Sequence, residues 1–127
     1  MKQIPALTTL TLFILAGCAT TDSQKPEKGM DGTIAYLVEV ESSEPGARIE
    51  VNNDSVGKTP TTIKIFGDKD GTFHHFDSHE FKVTAYPARS GQQPQTKIFT
   101  TGGWFTSEDK IPKKMFFDFG AAPESGK

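Results

Sequence analysis

Gly57-Lys58-Thr59 has the residues that close a phosphate-binding loop. Such a loop, G-x-x-x-x-G-K-[ST], lies between a strand and a helix, where backbone N–H groups and the helix N-terminus hold phosphate. The position five residues before Gly57 must be glycine, and it is Asn52. Pro60 biases Thr59 towards an extended backbone, and residues 61–65, TTIKI, then alternate with period two. A strand follows where a helix is required, so no nucleotide is expected.

Two further stretches carry candidate chemistry. Residues 73–80, FHHFDSHE, hold all three histidines. On an extended backbone His75, Asp77 and His79 share one face, and two imidazoles with a carboxylate form a set able to ligate zinc. The same residues equally suit a polar hairpin or loop beside a strand starting at Phe81. Residues 100–110, TTGGWFTSEDK, contain the only tryptophan. Gly102 and Gly103 let the backbone turn sharply and present Trp104 and Phe105. Presented to solvent, these aromatics stack on a sugar or anchor a protein partner. The expectation weighed ahead of that is that Trp104 plugs one end of a small sandwich. Serines stand at turns with no nucleophile elbow around them. The carboxylates are scattered, so no catalytic residue is assigned and the chain is not read as an enzyme.

Cys18 is the one cysteine, so no disulfide forms within the chain. It ends a distinctive segment. Lys2 gives a positive start, and residues 4–16, IPALTTLTLFILA, form an apolar run. Such a run is too short to span a bilayer as a helix and fits the core of a secretory signal. The sequence Leu15-Ala16-Gly17-Cys18 resembles the lipobox of bacterial lipoproteins. The resemblance implies cleavage between Gly17 and Cys18 and a diacylglycerol on the Cys18 thiol. Two or three acyl chains would give stable anchoring, where one is marginal. Ala19, which is not aspartate, implies sorting to the outer membrane, with the domain facing the periplasm. An ordinary cleaved signal with an incidental cysteine is the competing reading.

The expected organisation follows. Residues 1–17 are a lipoprotein signal peptide. Residues 18–31 are the lipidated cysteine and a flexible tether without apolar periodicity, with a reach of about 20 Å. Residues 32–120 form one domain, and residues 121–127 are a frayed tail. The whole chain has 127 residues and a net charge of −2, so no electrostatic footprint for nucleic acid is visible. The ten phenylalanines lean towards strands, and the glycines and prolines mark many turns. Period-two patterns predict strands near residues 33–41, 47–51, 61–66, 81–86, 95–101 and 115–119. Expected inward faces include Ile34, Tyr36, Val38 and Val40 on the first, and Met115, Phe117 and Phe119 on the last. No window carries a helical repeat. The fold class expected is all-β, a small antiparallel β-sandwich.

Residues 43–65, SEPGARIEVNNDSVGKTPTTIKI, resemble the PEGA domain. Pro45, Gly46 and Ala47 match its first turn in permuted order, with Glu44 before Pro45. Gly57, Thr59 and Pro60 match its Gly-x-Thr-Pro element. The family usually has glycine in the intervening turn, where this chain has Asn53 and Asp54; asparagine tolerates the same backbone. The resemblance implies a prealbumin-like β-sandwich of bacterial envelope and surface proteins, with no catalytic signature. GKT then marks a structural turn. The function expected is a non-catalytic interaction or structural module on the outer membrane, with an envelope protein or peptidoglycan as partner. The alternative is a periplasmic metal- or carbohydrate-binding module. No cofactor is expected beyond the lipid on Cys18, with zinc only under that alternative.

Overall fold

The computed structural model describes residues 25–75 and 77–120. The signal peptide, Cys18, residues 18–24 of the tether and the 121–127 tail lie outside the described residues. The fold is a β-sandwich of seven strands in two sheets. In chain order these are β1 (Ile34–Ser42), β2 (Arg48–Val51), β3 (Asp54–Lys58), β4 (Thr61–Gly67), β5 (Glu80–Tyr86), β6 (Gln95–Thr100) and β7 (Lys114–Phe117). One sheet has the order β4-β1-β7 and the other β3-β2-β5-β6. The second sheet is antiparallel throughout. In the first, β1 pairs antiparallel with β4 and parallel with β7, so the sandwich is antiparallel, as expected, except at this edge.

Alternating side chains fill the space between the sheets. Val38 and Val40, Ile49, Ile63 and Ile65, Phe81 and Val83, Phe99, Met115 and Phe117 are all buried. Their intervening neighbours point outward, as period two requires. Ile34 and Tyr36 are only half-buried, because the inward face of β1 runs out towards that end of the sandwich. The Tyr36 hydroxyl compensates by donating to the Asp68 carbonyl. On the outer face of the second sheet, the Arg48 guanidinium lies 4.2 Å from the Tyr86 ring centroid.

Within the span expected as tether, the Lys25–Asp31 part is built into the domain. Lys28 bridges Ile34 antiparallel, and the Ala35 N–H donates to the Glu27 carbonyl at 2.8 Å. Glu27 also pairs with Lys64 of β4. A 3-10 turn, Met30–Gly32, closes this small hairpin. The chain thus comes in alongside β1, antiparallel to it, and turns at the end where β1 begins.

The Gly57–Pro60 element has its structural reason at the opposite end. Asn52 and Asn53 have φ of 50° and 74° and form a tight two-residue turn between β2 and β3. β3 was not expected; the stretch read as loop pairs with β2. The pairing slips between Ile49 and Glu50, opposite Val56, leaving a β-bulge. Gly57 next to it has φ of 148°, and an added Cβ would stand 3.3 Å from Thr61 Oγ1. The bulge carries Thr59 to the junction where the chain leaves one sheet for the other. There Gly46 N–H donates to the Thr59 carbonyl at 2.8 Å, and Thr59 N–H to the Ala47 carbonyl at 2.8 Å. Ala47 N–H donates to Thr59 Oγ1 at 3.0 Å. The Thr59 hydroxyl lies 2.6 Å from Ser42 Oγ. Since Ser42 donates its proton to the Glu44 carbonyl, Thr59 is the donor to Ser42.

Thr59 is 4% exposed, so losing its hydroxyl leaves buried groups unpaired. Thr59→Val, close in shape, is expected to cost about 1–3 kcal/mol. Thr59→Ser, which keeps the hydroxyl, should cost clearly less; denaturant unfolding of the three proteins measures the order.

Candidate functional site

The end at which β1 begins gathers most of the residues singled out for chemistry. β4 ends there at Gly67, which bridges Phe73, and Thr72 bridges Lys110. The Phe73 N–H donates to the Asp109 carbonyl at 2.7 Å. Asp109 in turn holds the end of β6: its Oδ2 accepts the Thr100 N–H at 2.8 Å and the Thr100 hydroxyl at 3.1 Å. One aspartate therefore ties the last residue of β6 to the loop that follows β4.

Phe73 closes this end of the core. It is fully buried, 5.8 Å from the Phe81 ring centroid. The plug expected of Trp104 is thus supplied by a phenylalanine in the histidine-rich stretch. Trp104 and Phe105 are each 95% exposed. They sit at the tip of a two-residue turn, in which Gly103 and Thr106 exchange backbone hydrogen bonds of 3.1 and 3.2 Å. Thr101 N–H donates to the His79 carbonyl at 3.2 Å and fixes the base of the loop. Gly102 has φ of 76°, and a Cβ there would come within 2.9 Å of both Thr106 O and Glu108 N. Only glycine fits, and it aims the turn away from the core.

His75, Asp77 and His79, the expected zinc ligands, lie on the loop before β5. Residues 74, 75 and 77–79 lie in no strand; β5 starts at Glu80. His75 Nδ1 accepts the Asp77 N–H at 3.3 Å, and its ring stacks on Phe73 with centroids 6.5 Å apart. His79 Nδ1 faces Thr101 Oγ1 at 3.4 Å. His74 approaches Asp68 at 3.3 Å. Among the described residues, no group of three histidine, cysteine or acidic side chains could hold a metal ion. His75 and Asp77 instead border a shallow cleft of about 240 Å³, with His74, Asp31, Met30 and Phe66 on its other walls.

Pro45, Gly46, Ala47, Gly57, Thr59 and Pro60 all meet at the opposite end, in the Thr59 junction. They support the fold, and the Thr59 hydroxyl is already satisfied there. Sequence reasoning missed Phe73 and Asp109. The signal for Phe73 was its lone apolar character between Thr72 and two histidines, and for Asp109 there was none, because its partner Thr100 lies across a loop.

Residues 35–69 match the family model of the PEGA domain, 35 of the chain's 127 residues. The match spans β1 to β4 and contains the Thr59 junction. The histidine stretch and the Trp104 turn fall outside it. No curated protein matches the chain, and no solved structure does.

Phe73→Ala is expected to cost about 3–5 kcal/mol by emptying a buried ring site. Trp104→Ala should change stability by less than about 0.5 kcal/mol, because its side chain touches little. Denaturant midpoints of the two variants decide which aromatic closes the core.

A second expectation concerns the turn before Phe73. The Asp70 carboxylate accepts hydrogen bonds from the Thr72 hydroxyl at 2.7 Å and the Thr72 N–H at 3.1 Å. These, the hydroxyl first, hold the Asp70 carboxyl below the ordinary aspartate range. A folded pKa below the unfolded one stabilises the fold above the unfolded pKa, and this is lost as pH falls through the folded pKa. Thr72→Val should therefore raise the Asp70 pKa, read by NMR titration, and remove that part of the acid-side dependence.

Proposed function

We propose that this chain is a non-catalytic module of the bacterial envelope, held at the outer membrane by acyl chains on Cys18 and working in the periplasm by contact with another envelope component. The observation that carries the reading is the lipobox-like Leu15-Ala16-Gly17-Cys18 placed directly upstream of a PEGA-matching β-sandwich. The short interval between them supports it. Only residues 19–24 separate Cys18 from Lys25, so in this reading the domain works within a few nanometres of the membrane. No helix of the described residues is long and apolar enough to cross a membrane. The partner is an envelope protein or peptidoglycan. A carbohydrate reading through Trp104 finds less support, because sugar sites are concave with convergent polar groups and this turn is convex.

The test is in-cell crosslinking of the native protein, with recovery and mass spectrometry of what is attached. A defined protein or peptidoglycan adduct is expected, and Cys18→Ala should abolish it. A correctly lipidated Cys18 without any adduct would overturn the interaction module. An unmodified Cys18 would overturn the anchor.

A further inference from the structure

The shallow cleft of about 240 Å³ opens between the Met30–Gly32 turn and the loop that carries His74, His75 and Asp77. Taking about 30 Å³ for each water of the liquid, it has room for a ligand of about eight non-hydrogen atoms. Both sides are tied down. On one, Gly29 N–H donates to the Thr33 carbonyl at 2.9 Å, and the Thr33 hydroxyl to the Met30 carbonyl at 2.7 Å. On the other, the His75 ring is stacked on the buried Phe73, and its Nδ1 accepts the Asp77 N–H. The half-buried Phe66 of β4 forms a third wall. A Cβ on Gly29 would stand 2.6 Å from the Phe66 ring and would also collide with Thr33 Oγ1. Glycine at this position lets the backbone and the ring share the cleft without a side chain between them.

The lining selects the class of ligand. Met30, 66% exposed, and Phe66 offer apolar surface to a carbon skeleton. Asp31 and Asp77 are exposed carboxylates contributed by the two opposite sides. Neither belongs to an ion pair among the described residues. No lysine or arginine lines the cleft, and His74 faces a further carboxylate, Asp68, at 3.3 Å. An anion would therefore meet acids with no fixed cation beside them. A sugar would bring hydroxyls on every side to apolar walls that cannot pair them. A bare metal ion lacks a set of three donors among the described residues. Apolar walls with two unpaired acids suit an organic cation, and the face of an aromatic ring attracts the same charge.

We propose that this cleft binds small organic ammonium ions, the carbon body against Phe66 and Met30 and the charge at Asp31 and Asp77. The site stands whether or not Cys18 carries lipid. Of its lining residues only Phe66 falls within the residues that match the PEGA model, so the site is built on what flanks that scaffold.

The probes are benzylammonium, benzyl alcohol and benzoate, which share a ring and differ in charge. Each is titrated near neutral pH into the isotope-labelled full-length chain in neutral detergent micelles, and backbone amides are followed by NMR. Benzylammonium should move the amides of Gly29, Met30, His75 and Asp77 with a Kd on the order of 1 mM, ordinary for so small a ligand. Benzyl alcohol should bind several times more weakly, and benzoate more weakly still. Asp31→Asn combined with Asp77→Asn changes two exposed side chains, and the amide spectrum itself reports whether the fold is kept. The double variant should weaken benzylammonium roughly fivefold and leave benzyl alcohol unchanged. Equal affinity for the three probes would overturn the proposal, and so would a folded double variant that binds benzylammonium as tightly as its parent. Shifts confined to Trp104 and Phe105 would move the probe to the aromatic turn and overturn the cleft as its site. No shift at concentrations well above that Kd would do the same.

Discussion

The hydroxyl of Thr59 is the constraint on which the sandwich depends. The chain passes between the sheets after β1 and again after β3, and both passages meet at this residue. Thr59 exchanges backbone bonds with Gly46 and Ala47 on one side, and its hydroxyl accepts from Ala47 and donates to Ser42 on the other. A buried hydroxyl without partners would cost more than its methyl group gains, so the arrangement succeeds only when all of these bonds form together. That fixes the exit angle of β1 relative to the entry of β4, and β1 and β4 are directly paired. Gly57 and Pro60 are subordinate to it. The glycine permits the bulge that brings Thr59 into place, and the proline stands where no ladder bond is required.

The two ends of the sandwich divide the labour. One is closed by the hydrogen-bonded junction, and it lies inside the segment that matches the PEGA family model. The other is closed by Phe73, packed on Phe81, with Asp109 linking the loops across it. A ring in a pocket demands volume but little sequence around it. His74, His75, Asp77, Trp104 and Phe105 all sit on the loops at that end. This is the usual relation of scaffold to site, with function placed on loops held by rigid strands.

Much of the scaffold is legible in the sequence because period-two alternation reports which face a strand buries. Val38 and Val40, Ile63 and Ile65, and Met115 with Phe117 are buried as the pattern requires. β3 escaped because Gly57 and Pro60 read as breakers, whereas the glycine sits in a bulge of a paired strand. The parallel partnership of β1 and β7 escaped because residues some seventy positions apart leave no local trace of direction. The histidine cluster dissolved for a related reason. Sharing a face needs a strand, and residues 74, 75 and 77–79 lie outside any strand, while Phe73 enters the core. The Trp104 plug failed because residue size is no guide to which of two nearby aromatics is inward when Gly102 aims the loop outward.

That last error has a physical consequence. A small domain has little apolar surface to spare, and a tryptophan kept out of the core forgoes the largest burial a side chain can give. Phe73 completes the packing without it, so the stability of the sandwich does not depend on Trp104 or Phe105. What the sequence spends at the turn it spends on rigidity: a glycine that cannot be changed, a closed two-residue tip, and a backbone bond to His79. An exposed aromatic pair on a floppy loop would bury itself against the nearest apolar surface or pay ordering entropy on contact. On this hairpin it does neither. The tip is preorganised to present an apolar pair outside the domain.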